Sequence, residues 1–102
     1  MNSINIIGRI TANPELKYTD KEKKAVSSFS IAYNVSEEHT DFFNVTAFEK
    51  QAENLCKYVS KGDLLGVSGR LTTRTYTAQD GTNRTVTEII ANSITFIQSK
   101  EK

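Results

Sequence analysis

At 102 residues the chain has room for one domain and not two, and folding at this size removes roughly 60–70% of the unfolded surface from water. With 37% hydrophobic and 25% charged residues, the composition is that of a soluble globular domain, and nothing in it demands disorder. The formal net charge of +1 rules out an argument from bulk basicity, so a case for a polyanionic partner must rest on where the cations sit.

Residues Ile4 to Ile10 read as a first strand, with Ile4, Ile6 and Ile10 on one face. No basic segment leading into a long apolar run occurs here, so neither a signal peptide nor a membrane span is expected. A loop containing Asn13-Pro14 and the charged run Asp20 to Lys24 follows. Val26 to Val35 reads as a second strand, with Phe29, Ile31, Tyr33 and Val35 on one face and Ser28, Ser30 and Asn34 on the other. Phe42 to Phe48 is a third strand. The period then changes: Ala52, Leu55, Cys56 and Val59 fall on one face of a helix, and Gly62 stands where a helix commonly stops. Leu64 to Tyr76 is a long fourth strand, and Gln79-Asp80-Gly81-Thr82 a turn. Thr85 to Ile97, rich in Thr, Val and Ile, is the fifth. Residues 1–98 thus form one domain, and 99–102 a short polar tail.

Five strands with one short helix between the third and fourth is the order of an OB-fold, a five-stranded Greek-key barrel that binds oligonucleotides or oligosaccharides across one face. Strand order alone leaves a generic small barrel of other function equally open.

The side-chain faces are more informative. In the third strand Phe43, Val45 and Ala47 form the natural core row, which leaves Phe42, Asn44, Thr46 and Phe48 on the other face. Large aromatics left in water forgo their burial energy, so Phe42 and Phe48 need a reason to be there. The fourth strand repeats the pattern. Leu65, Val67, Gly69 and Leu71 point inward, while Ser68, Arg70, Thr72, Arg74 and Tyr76 point outward, and the two outward rows could lie side by side. Such a surface suits a single-stranded nucleic acid. Phe and Tyr can stack on any base, and arginine can pair with phosphate or stack on a base plane. The structural alternative is that Phe42 is covered by a loop, that Phe48 packs on the helix, and that Arg70 and Arg74 are a solvated face.

Catalysis finds little support. Cys56 is the one cysteine, so there is no internal disulfide, which fits a reducing cytoplasm. It lies on the apolar helix face, where an inert buried thiol is expected. One His and one Cys cannot make a zinc site within one chain. Glu37, Glu38 and Asp41 cluster in a loop with no opposing acid across a cleft. The expectation is therefore a non-enzyme without cofactor or metal. The rival reading is a protein-interaction module on an OB scaffold, of the kind found in primosome accessory proteins. RNA is a close alternative ligand, because stacking and phosphate contacts inspect the sugar only weakly.

From Asn5 to Ile97 the chain resembles bacterial and phage single-stranded DNA-binding proteins. The resemblance is carried by Ile7-Gly8-Arg9-Ile10, Pro14-Glu15-Leu16-Lys17-Tyr18-Thr19, Asp41-Phe42-Phe43-Asn44-Val45, Phe48-Glu49-Lys50-Gln51-Ala52-Glu53-Asn54, Lys61-Gly62, Gly69 to Tyr76 and Thr87-Glu88. The ordered set, rather than any one motif, makes it specific. It implies an OB-fold that binds single-stranded DNA with little sequence preference and protects it during replication, recombination or repair. The implied stacking residues are Phe42, Phe48 and Tyr76, and the implied backbone contacts Arg9, Lys17, Lys50, Arg70, Arg74 and Arg84. It further implies a homo-oligomer, a tetramer in most relatives and with a dimer as the alternative, in which Ile4, Ile6 and Phe43 meet a second subunit. The implied setting is the bacterial cytoplasm, in association with the nucleoid. Three departures stand out. The loop Ser36 to Thr40 is short and acidic, and Val35 takes a place that is often basic. The sequence stops at Lys102 without the acidic tip through which relatives recruit replication enzymes. That implies a tailless form of phage, plasmid or mobile-element origin, or an expressed core, to which recruitment does not carry over.

Overall fold

Alternation of apolar and polar residues builds six strands here, and the helical spacing builds one helix. In the computed structural model, which describes residues 1–19 and 21–99, the order is β1 (Ile4–Ile10), β2 (Lys17–Tyr18), β3 (Ala25–Ser36), β4 (His39–Phe48), α1 (Glu49–Tyr58), β5 (Leu64–Thr77) and β6 (Asn83–Gln98). The five expected strands are present as β1, β3, β4, β5 and β6, most of them longer by one to three residues at their ends. The two-residue β2 has too short a pattern to announce itself. Asp20 of the charged run, and residues 100–102 of the expected tail, lie outside the described residues.

The strands are hydrogen-bonded in the order β1-β5-β6-β4-β3, and a second pairing of β1 with β3 closes the ring. All of these pairings are antiparallel except β4 with β6, which run parallel at Val45–Ile89 and Thr46–Ile90. This closed five-stranded barrel is the OB-fold. The loop expected at Ser36–Thr40 is mostly strand, since Ser36 pairs with His39 and only Glu37 and Glu38 turn between β3 and β4.

Inside, Ile10, Phe29, Ile31, Val45, Leu65, Val67 and Ile89 interdigitate, all buried. The helix packs against β3 and β4 through Ala52, Leu55 and, just past its end, Val59. Cys56 is only half-buried and its Sγ donates to Ser27 Oγ at 3.6 Å, so the thiol has a partner as well as a packing role. Gly62 sits at φ 93° just beyond the helix, a left-handed backbone that favours glycine. Gly69 answers to a different need. A Cβ there would collide with the carbonyl oxygen of Ile90 across the β5–β6 ladder, next to the bulge that shifts the register between Ser68 and Gly69.

The strands outrun the barrel in two places, and at one of them the inward reading of Leu71 needs correcting. Leu71 stays on the inward row of β5 but is 43% exposed. Tyr33 stays on the row of Phe29 and Ile31 yet is exposed, and Val35, exposed as well, is the unpaired residue of a bulge between Asn34 and Ser36. The β3–β4 and β5–β6 hairpins extend as arms past the point where a facing strand could cover them.

Candidate nucleic-acid interface

The outward rows of the barrel define one surface. On β4 it carries Phe42, Asn44, Thr46 and Phe48, paired in register with Ala32, Ser30, Ser28 and Val26 of β3. Arg9 of β1 lies opposite Ala32, and Lys17 of β2 opposite Val26, so both cations extend the same face. On the other side, Arg70, Thr72, Arg74 and Tyr76 of β5 are in register with Ile90, Glu88, Val86 and Arg84 of β6. The β4 and β5 rows do not lie side by side as expected. β6 runs between them, pairing with both, so Arg84, Val86 and Glu88 form the middle of the face. Only the strand order could reveal this, because alternation says nothing about which strands are neighbours.

Phe42 is 65% exposed, and Phe48 and Tyr76 are about two-fifths exposed, so each leaves part of its side chain open to solvent. Phe48 also enters the helix as its N-cap without any capping side-chain hydrogen bond, and the next residue, Glu49, has φ 58°. A non-glycine residue in that region carries strain of about 1–3 kcal/mol. Phe42 and Phe48 are six residues apart on one strand, about 20 Å at 3.3–3.4 Å per residue, far enough to serve different bases.

The cations fall into two groups. The side chains of Arg70, Lys17 and, on α1, Lys50 are exposed and make no hydrogen bond or ion pair with the described residues. The other three are engaged. Arg9 donates through an Nη to the Gly62 carbonyl at 2.9 Å. Arg84 reaches Asp80 at 3.4 Å. Arg74 donates from Nε to Glu88 Oε1 at 3.0 Å. Glu88 is the residue that reading the sequence for cations and aromatics passed over. The register of the hairpin brings it under Arg74, and its second oxygen accepts from Thr46 Oγ1 at 3.3 Å. Thr46 faces outward as expected but is buried, its hydroxyl also within 3.2 Å of Ser28 Oγ.

The expected subunit residues sit elsewhere. Ile4, Ile6 and Phe43 are half-buried and pack against the core from its edge. Ile4 and Ile6, with Ile7, Tyr33 and Gly66, line an open groove of about 540 Å³. No cluster of metal-ligating side chains occurs among the described residues, and no helix there is long and apolar enough to cross a membrane.

A closed OB barrel with a wet face of aromatics and cations defines a class: a binder of chains that combine flat rings with an anionic backbone. Whole-chain comparison makes the class specific. Residues 1–97 match the family described as "Single-strand binding protein family", and the chain belongs to that family. It is 45% identical to single-stranded DNA-binding protein 3 of Clostridium acetobutylicum over 96% of this chain and 72% of that protein. It is 43% identical to the single-stranded DNA-binding protein of Clostridium tetani, over 96% of this chain and 71% of the relative. With single-stranded DNA-binding protein 1 of Staphylococcus aureus the identity is 44%, over 98% and 67% respectively.

Proposed function

We propose that this protein binds single-stranded DNA with little sequence preference and shields it during replication, recombination or repair. Bases stack on Phe42, Phe48 and Tyr76, while Arg9, Lys17, Lys50, Arg70, Arg74 and Arg84 neutralise phosphates. The single observation that carries the reading is the exposed aromatic pair on β4, which shares its face with the unpaired Lys17 of β2 and Arg70 of β5. A base-sized ring gains contact there without the protein inspecting its edge, so every base is accepted. Family membership supports the same conclusion.

The protein has four tyrosines and no tryptophan, so its own tyrosine fluorescence reports on the site. Titration with an oligothymidine at low salt should change that signal saturably. A flat titration would exclude the reading. The apparent affinity should fall as salt rises, with a log–log slope of about −0.7 per phosphate neutralised.

The working unit is a homo-oligomer, a tetramer in the fullest form, with Ile4, Ile6 and Phe43 against a second copy. Residues Ile4–Gly8 of β1 pair with β5 on one side, whereas the pairing with β3 involves only Arg9 and Ile10. An open strand edge beside half-buried isoleucines invites a second strand. Solution mass, free and with oligothymidines of graded length, gives the subunit number and the occluded length together. A monomer at all concentrations would remove these three residues from any interface.

A further inference from the structure

Glu88 puts a carboxylate in the middle of a face read as phosphate-binding, where a negative charge should be a liability. Its side chain is only 12% exposed, whereas that of its partner Arg74 is 63% exposed. The carboxylate is therefore the fixed member of the pair. One oxygen accepts from Arg74 Nε and the other from the buried Thr46 hydroxyl, which is in turn held by Ser28. The Nε bond leaves both terminal nitrogens of Arg74 without a hydrogen-bond partner among the described residues. Those nitrogens are the ones that form a two-pronged contact with a phosphate. Arg74 and Glu88 also line, with Ser28, Ser30 and Asn44, a hollow of about 390 Å³ between the β4 and β5 rows.

We propose that Glu88 is a positioning residue for DNA binding, a post sunk in the sheet that fixes the Arg74 guanidinium so that its two free ends meet the phosphate. A free arginine would lose its rotamer freedom at the moment of binding, and here that freedom is already spent in the folded protein. The inference rests on the single-stranded DNA reading above and adds to it the residue that aims one of its cations. The pair as an isolated surface salt bridge would be worth little. Its place is explained by what it leaves exposed.

The test is an oligothymidine titration, followed by tyrosine fluorescence over a range of salt concentrations, with circular dichroism to check folding. Glu88→Ala should weaken binding about three- to tenfold, in the lower part of the range for residues sharing one hydrogen-bond network. It should also flatten the salt slope by about 0.7, the loss of one phosphate contact. Arg74→Ala should do the same, and adding Glu88→Ala to it should cost nothing further. Glu88→Gln keeps an oxygen for Arg74 Nε and removes the charge, so it should bind as well as the wild type or better. Arg74→Lys leaves the buried groups intact and keeps the charge but lacks the planar fork, so it should bind more weakly than the wild type. Wild-type binding by Glu88→Ala would overturn the proposal. So would Glu88→Gln as weak as Glu88→Ala, an undiminished Glu88→Ala effect in the Arg74→Ala background, or wild-type affinity in Arg74→Lys. If Glu88→Ala does not fold, the Gln and Lys variants decide. Failure of the wild type itself to bind would instead overturn the DNA-binding reading.

Discussion

The same strands behave differently inside the barrel and along the arms that extend from it. In β3, Phe29 and Ile31 are buried, while Tyr33, next on the same row, is 42% exposed and Val35, in the bulge beyond it, 53%. In β5, Leu65 and Val67 are buried, while Leu71 is 43% exposed. Between bulges, side-chain direction is set by the two-residue period, but cover depends on whether another strand lies opposite. The barrel uses alternation to fill a core. The arms use it to carry the outward row proposed to bind DNA and one apolar row that this single chain leaves open.

The largest effect should separate the two regions within one strand. Ile31→Ala, at a site of 0% exposure, should cost about 2–5 kcal/mol in denaturant unfolding. Val35→Ala, four residues along in the exposed bulge of β3, should stay within about 0.5 kcal/mol, because its side chain has little buried contact to lose. A Val35 cost that approached the Ile31 cost and grew with protein concentration would mean that a second copy covers the arm. Gly69→Ala belongs with the barrel despite being a one-methyl change. The added carbon meets backbone at Ile90 and cannot be relieved by a rotamer, so about 3 kcal/mol is expected from overpacking.

On the outward row the contrast inverts, because stability should move less while binding weakens. Phe48→Ala should weaken association with single strands of any sequence by about 1–3 kcal/mol, the usual loss for one stacked base. Its unfolding free energy should fall by less than that of Ile31→Ala, since Phe48 is 41% exposed. Unchanged affinity in a folded variant would take Phe48 out of the site, and a preference for one base over others would show that the face reads base edges.

Most of the fold was legible because strand alternation and the 52-55-56-59 helical spacing are strong local signals. The outward, partly exposed position of Phe42 and Phe48 was legible for the same reason, since they break an otherwise polar row. What local pattern could not give was adjacency. The parallel β4–β6 contact spans two residue pairs and joins segments more than forty residues apart, yet it decides that β6 occupies the centre of the face. Glu88 was invisible as a site residue for that reason: its role depends on Arg74 and Thr46, which reach it across two different ladders. The exposure of Leu71 was equally hidden, because a strand does not announce where its partner ends.

The smallest effect lies at the far tip of the β5–β6 arm. Asp80 accepts from the Thr82 hydroxyl at 2.7 Å and from the Thr82 backbone N–H at 3.0 Å, with Arg84 at 3.4 Å on its other oxygen. These contacts, those from Thr82 foremost, hold its pKa below the ordinary 3.8. A carboxyl lowered in the folded state stabilises the turn above its unfolded pKa, and that contribution disappears as pH falls through the folded value. The turn should therefore be indifferent to pH near neutrality and loosen only in acid below 3.8. A carboxyl-detected NMR titration should place the Asp80 midpoint below 3.8 in the wild type and closer to it in Thr82→Ala. Arg84→Ala should move it less, because Arg84 is the weaker of the two partners. An unshifted wild-type midpoint would mean that the tip is not held as the barrel is. Arg84, cross-strand neighbour of Tyr76, would then reach the DNA from a loose arm instead of a fixed one.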